Sequence, residues 1–389
     1  MPGSSAFEKR THVVRALSKF MHLQARLEAN KPTFSKFLGV TYEHGKEASS
    51  VREDQTFFVE TDEIRSKPSL VFRYRFPPDQ RLRYLDEERD DPSGDRRRLP
   101  RRETPSLSAY TSILDEVTTL GLVTTNTKKP FPGVSVTMQT QWGPGGGAHA
   151  NPSSNGPPPQ EVDIVATVTK LGRTLGFVRA EVRDPSNNNA LVCYFDHVKY
   201  LPPGWVLGLL LSPVGLWCLD LVLKLVQPFR KSNKIADETE DSAPGIMDPY
   251  IKTSETTAAF RVGPEHCNGM GGLHGGVQAV LMERLGRSVA YRELLNVDLA
   301  LQDPSSSIYD VECQQLQISY QSSASKVLEL RAHVIDPPRP GRHSATLRIE
   351  ILRSSSGNAA TKASKAKRVV IVSEGVLTFA SVSSKAKDQ

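Results

Sequence analysis

Cysteine is scarce in this chain: four residues in 389, Cys193, Cys218, Cys267 and Cys313, far apart and without CxxC or Cys/His ligand spacing. That excludes a disulfide framework and a zinc site as organising devices, and makes a reducing compartment the expected setting. No secretory leader is readable, because Met1 to Lys31 lacks an apolar core followed by a small-residue cleavage site. The polar tail Ser384 to Gln389 is not a peroxisomal tripeptide. Charge of one sign is also in short supply. Forty-nine Lys and Arg face forty-three Asp and Glu, a formal +6 spread along the chain, so nucleic acid is not an expected partner.

What is present is apolar material, 38% of residues, against 24% charged. In a chain of this length that suffices for one large or two medium cores. Near the N-terminus, Arg10, Arg15, Lys19 and Arg26 interleave with Val13, Val14, Leu17 and Phe20. The pattern is a basic amphipathic helix, either a mitochondrial-targeting segment or an ordinary surface helix, and Glu8 and Glu28 depart from targeting composition. Cytoplasmic and mitochondrial locations both stay open.

Three stretches read as interruptions. Asp86 to Arg102 is charge-dense, Gly143 to Gln160 is Gly, Pro, Ser and Asn with little to bury, and Lys231 to Pro249 is a polar, acidic linker. Between them one order of elements occurs twice. A helical pattern at Leu107 to Val123 precedes strand patterns at Val134 to Trp142, Val162 to Lys170, Thr174 to Arg183 and Ala190 to Tyr200. A second helical pattern at Gly276 to Leu295 precedes Tyr309 to Tyr320, Val327 to Ile335, Ser344 to Leu352 and Arg368 to Ser381. The turns Gly172-Arg173-Thr174 and Gly341-Arg342-His343 stand in equivalent places, as two copies of one unit require. Four consecutive strands must bury one face on something, and each helix is the natural filling. The expected fold is α+β: two units, each a long helix wrapped by antiparallel sheet, paired within one chain. Gly39 to Glu43 and Leu70 to Phe76 are candidate early strands of the first unit.

The sharpest local pattern opens the second helix: Asn268-Gly269-Met270-Gly271-Gly272-Leu273-His274-Gly275-Gly276-Val277. Glycine at a helix start lets a substrate carbonyl approach a backbone N–H that has no intrahelical partner, where the helix dipole also favours negative charge. Asn followed six positions later by His-Gly-Gly, then an apolar helix, resembles the hotdog-fold acyl-CoA thioesterases, in particular the phenylacetyl-CoA and long-chain acyl-CoA branch. The resemblance implies two tandem hotdog domains, with an N-terminal helical extension at 1–35, a first domain at 36–204, an apolar segment and linker at 205–249, and a second domain at 250–383.

It also implies roles. Gly275 N–H would polarise the thioester carbonyl, Asn268 would support the carbonyl or a water, and His274 and Gly276 would hold the loop. The family places a carboxylate on the helix nine residues beyond the motif His. Glu283 has that spacing from His274, and Asp115 has it from Ser106, where His-Gly-Gly has become Ser106-Leu107-Ser108. In a hotdog dimer the carboxylate facing one motif comes from the partner helix. One complete set then combines Asn268, His274 and Gly275 with Asp115 and with Ser135, which falls on the family's water- or carbonyl-positioning Ser. Glu283 and Cys313 are the remnant of a second site. Asp115 would be general base or nucleophile in hydrolysis of an acyl-CoA, with no cofactor and no metal. Lys170, Arg173 and Arg342 are candidates for the CoA phosphates. A homodimer of such chains is compatible with the reading.

The apolar stretch Trp205 to Val226 has about the length of a bilayer span, roughly 20 residues, but contains Pro213 and Asp220. A single span would separate the two units that the site needs together. The segment therefore either dips into a membrane surface or packs over the sheets and lines an acyl pocket. A competing function is a non-catalytic acyl-CoA or lipid-binding or assembly protein. A hotdog dehydratase is disfavoured, because His197 and His266 lack the setting of its catalytic histidine.

Overall fold

The computed structural model describes residues 33–38, 56–62, 67–76, 105–125, 133–147, 159–201, 246–268, 271–297, 302, 306, 308–324, 326–340, 342–355 and 368–382. The basic N-terminal stretch, Gly39 to Glu43, Trp205 to Val226 and most of the three interruptions lie outside them. In chain order the elements are α1 (Phe34–Leu38), β1 (Thr56–Asp62), β2 (Lys67–Arg75), α2 (Leu107–Thr125), β3 (Val134–Trp142), β4 (Glu161–Leu171), β5 (Leu175–Asp184) and β6 (Ala190–Tyr200). Then come β7 (Tyr250–Lys252), β8 (Thr257–Arg261), α3 (Gly275–Leu295), β9 (Val311–Tyr320), β10 (Val327–Asp336), β11 (Ser344–Ser355) and β12 (Arg368–Ser381). The helices and the four strands after each lie within a few residues of their expected bounds. Strands β1, β7 and β8 and the short helix α1 are additions. The end of the expected linker also differs: residues 246–249 form a turn in which Met247 is buried.

Among the described residues all twelve strands join one antiparallel sheet, ordered β1-β2-β4-β5-β6-β3-β9-β12-β11-β10-β8-β7. Outward from the central β3–β9 pair, the two directions repeat the same succession of roles. That pair runs from Thr137 opposite Ser319 to Gln141 opposite Gln315, with Gln139 facing Gln317 at its middle. Alternation fixes which face is buried. In β4 and β5 every second residue (Val162, Ile164, Ala166; Val178, Ala180, Val182) turns inward, as a sheet covered on one side requires.

The two long helices are the covering. Every residue of α2 from Leu107 to Val123 is buried, its hydroxyls included. Those hydroxyls are satisfied inside the helix, Thr111 on Leu107 O at 2.8 Å, Ser112 on Ser108 O at 2.8 Å and Thr118 on Leu114 O at 2.6 Å. A helix rich in Ser and Thr is thereby able to lie wholly in the core. The start of α3 packs on the middle of α2 so closely that a Cβ on Gly276 would lie 2.7 Å from Ser112 Cα. Only glycine allows that crossing.

Candidate active site

The helix contact brings a buried carboxylate to the start of α3. Asp115, 6% exposed, lies midway along α2. Its Oδ1 accepts from the Ser135 hydroxyl of β3 at 3.3 Å and has Lys199 Nζ at 3.8 Å and His197 Nε2 at 3.7 Å, both from β6. Its Oδ2 faces the other half, with His274 Nδ1 at 3.6 Å. A Cβ built on Gly275 would stand 2.7 Å from that oxygen and 2.9 Å from the Tyr320 hydroxyl. Asp115 and the first residue of α3 are therefore in close approach, at a position where a residue with a Cβ does not fit. The structure brings Asp115 and Ser135 of the first half together with His274 and Gly275 of the second.

His274 is the N-cap of α3 and fixes the loop. Its Nδ1 accepts from Gly276 N–H at 2.9 Å, which puts the ring proton on Nε2, donated to Glu116 Oε1 at 2.7 Å. Glu116 also accepts from the Ser35 hydroxyl of α1, and α1 is tied to the motif loop by Phe34 N–H on Cys267 O at 3.0 Å. Burial opposes a charge on the His274 ring, but the hydrogen bond and charge of Glu116, with Asp115 behind it, raise its pKa above the ordinary value. For Glu116 burial acts upward, and the His274 hydrogen bond, the Ser35 hydroxyl and the Lys199 charge overcome it, so this carboxyl sits below its ordinary range. Gly276 N–H is taken by the cap, and Gly275 is the first residue of α3, at the positive end of the helix dipole.

The β6 residues complete the surroundings. His197 is held neutral, its pKa dropped to about 3 by burial and the Lys199 charge against the pull of Asp115. It bridges the Thr118 hydroxyl (Nδ1, 2.7 Å) and the Ser135 hydroxyl (Nε2, 3.0 Å). When Ser135 donates to Asp115, the ring proton is on Nε2 and Thr118 donates to Nδ1; in the other tautomer Ser135 donates to His197 and Thr118 to Leu114 O. Tyr320 donates to Gly275 O at 3.2 Å, and burial together with the Asp115 charge keeps its phenol protonated.

A depressed histidine carries a pH signature. Below the ordinary value of 6.5 the unfolded chain takes up a proton that folded His197 refuses, so stability falls as pH drops from about 6.5 towards 3. The slope is up to about 1.4 kcal/mol per pH unit. Urea unfolding at a series of pH values should show a shallower acid-side fall for His197→Gln; equal slopes would contradict the neutral, buried ring.

The other sequence-predicted residues have the following surroundings. Asn268 holds the loop itself: its Oδ1 accepts from Gly272 N–H at 3.1 Å, and its backbone N–H donates to Gly272 O at 2.8 Å. Glu283 accepts from Ser108 N–H at 2.7 Å and pairs with Arg287 one turn along α3. The strand registers place Cys313 where the first half has Ser135, since both β3 and β9 bulge at the following residue; by the same pairing Phe379 corresponds to Lys199 and Leu377 to His197. All three are buried, and Cys313 Sγ lies 3.3 Å from Gln315 O. Among the described residues no group of three or more His, Cys, Asp and Glu is placed to hold a metal ion. No described helix is long and apolar enough to cross a membrane.

The residues that sequence reading passed over are Ser35, Glu116, Thr118, His197, Lys199 and Tyr320. One pattern could have found two of them: in β6, period-two alternation sets His197 and Lys199 on the inward face with Phe195. A lysine there is an anomaly that a buried carboxylate explains.

No protein-family model matches the chain, and no curated protein does. Solved structures similar to it include the tesB protein of Mycobacterium avium subspecies paratuberculosis (9% identity, 80% of this chain and 92% of that one, TM-score 0.38). An acyl-ACP thioesterase from Bacteroides thetaiotaomicron shares 9% identity over 80% of this chain and 97% of that one, TM-score 0.36. The acyl-CoA thioesterase II TesB2 from Mycobacterium marinum shares 8% over 83% and 95%, TM-score 0.36.

Proposed function

We propose that this chain is a double-hotdog acyl-CoA thioesterase, with units at 36–204 and 250–383 acting as an intrachain pseudo-dimer around one composite site. The observation that carries the reading is the approach of Asp115, from the first helix, to the Gly275 start of the second. A carboxylate buried against a helix N-terminus suits a reaction that develops negative charge on a carbonyl oxygen beside a base.

The acyl carbonyl oxygen sits at Gly275 N–H, where the tetrahedral oxyanion is stabilised; one such donor is worth roughly 10²–10³ in rate. Asp115 takes a proton from water as the new C–O bond forms at the carbonyl carbon. Collapse of the intermediate breaks the C–S bond, and the CoA thiolate leaves with the proton held by Asp115. Direct attack by Asp115 on the carbonyl carbon, which breaks the C–S bond, releases the CoA thiolate and gives an anhydride that water then cleaves to the free acid and the Asp115 carboxylate, uses the same geometry. Ser135 orients water and carboxylate, and the Glu116–His274 pair keeps the loop in its capped form.

The test is release of free thiol from acyl-CoAs of graded chain length, including an aromatic one. Gly275→Ala should abolish turnover, because its methyl would meet Asp115 Oδ2 at 2.7 Å and the Tyr320 hydroxyl at 2.9 Å. Thermal stabilisation by acyl-CoA without any thiol release would instead favour a binding protein.

A further inference from the structure

Both halves carry a buried carboxylate at the same place on the long helix, yet they neutralise it differently. Glu283 is quenched in contact: Arg287, on its own helix, pairs directly with Oε1, and Ser108 N–H takes Oε2 at 2.7 Å. Asp115 has Thr119 where Glu283 has Arg287, and that hydroxyl turns away to Asp115 O at 2.6 Å. Its cation comes across from β6, where Lys199 Nζ stops 3.8 Å from Oδ1, beyond hydrogen-bonding distance. The corresponding residue in the second half is Phe379. Lys199 is only 4% exposed, and an ammonium taken out of water without a partner is costly. It therefore has a reason to be there.

We propose that Lys199 is a positioning residue of the reaction: a stand-off counter-charge for the buried Asp115 carboxylate that ties up neither of its oxygens in a contact ion pair. This rests on the thioesterase reading for its catalytic consequence, though not for the ionisation itself. A contact pair would hold the carboxylate too tightly to act as base or nucleophile, as in the second half. A cation near a buried carboxylate favours the charged form in general. The titratable groups facing Asp115 are Glu116 on α2, His197 and Lys199 on β6, His274 ahead of α3, and Tyr320 on β9. Of these His197 is neutral and Tyr320 a phenol. The His274 ring is engaged on both sides, accepting from Gly276 N–H at Nδ1 and donating to Glu116 from Nε2, so Lys199 is the cation left facing Asp115. Burial lowers the lysine's own pKa, and Asp115 and Glu116 act to raise it.

The experiment compares wild type, Lys199→Met and Lys199→Arg in two readouts. In kcat/KM for thiol release against pH, the acid limb of the Met variant should move up by one unit or more, and the Arg variant should restore it. In carbon-13 NMR of selectively labelled Asp carboxyls, assigned with Asp115→Asn, the Asp115 resonance should titrate higher in the Met variant by a similar amount. An unchanged acid limb and an unchanged Asp115 titration in Lys199→Met overturn the proposal. If no acyl-CoA is hydrolysed by the wild type, the thioesterase reading fails while the NMR titration still decides the role of Lys199. If the Met variant unfolds, Lys199→Gln, which removes the charge and keeps a polar end, carries the same comparison against Lys199→Arg.

Discussion

Asp115→Asn should lower kcat/KM for thioester hydrolysis by roughly 10²–10⁴-fold, the range lost when a positioned general base is removed. Asn retains the shape of the carboxylate and an oxygen to accept from Ser135, now at 3.3 Å, so positioning survives and proton removal does not. Lys199 is left beside a neutral amide, and Glu116 becomes its remaining anion. Some stability is lost for that reason, and a Lys199→Met second change should restore part of it without restoring rate. The expected contrast is Glu283→Gln, which removes the other helical carboxylate and should leave kcat/KM of the folded protein within a few-fold of wild type. Steady-state assays of both variants below their unfolding temperatures decide the matter. Full hydrolysis by Asp115→Asn together with an inactive Glu283→Gln would move the reaction to the second site.

Much of this arrangement is legible in the sequence, for definable reasons. The nine-residue interval from His274 to Glu283 and from Ser106 to Asp115 lies within one continuous stretch of chain, so the family resemblance carries it in a linear reading. Ser135 and Cys313 are matched because each stands at the start of a strand following the helix, and the paired bulges give the match its geometry. The rest of the site is not local. Glu116 is one residue from Asp115 but points to His274 instead, a difference of about 100° around the helix that only the packing direction makes meaningful. Ser35 arrives from a five-residue helix near the N-terminus whose contact with Glu116 spans 81 positions. Tyr320 and Lys199 lie at the far ends of strands, and their meeting with Gly275 and Asp115 depends on sheet order. His197 stands in no catalytic motif along the sequence, because its neighbours Thr118 and Ser135 come from α2 and β3.

The second half makes the strongest claim on stability. Arg287→Met should destabilise the fold by about 3–5 kcal/mol, the usual cost of removing one partner from a buried ion pair. Glu283 is fully buried and Arg287 is 1% exposed. Without the guanidinium the carboxylate keeps Ser108 N–H but has no cation from its own helix, and it must either stay charged in the core or take up a proton. Replacing both, Glu283→Leu with Arg287→Met, removes two charges together and should recover most of the loss, since buried pairs exchanged for apolar groups of similar volume are often neutral or better. Denaturant unfolding of the two single variants and the double variant measures the coupling directly. Because Arg287 lies in the quenched half, the same variants should retain kcat/KM while folded. That outcome would separate the two carboxylates by function: the first held ionised at a distance for chemistry, the second locked in contact to hold the helices together. Additive losses in the double variant would remove the basis for treating Glu283 and Arg287 as a structural pair.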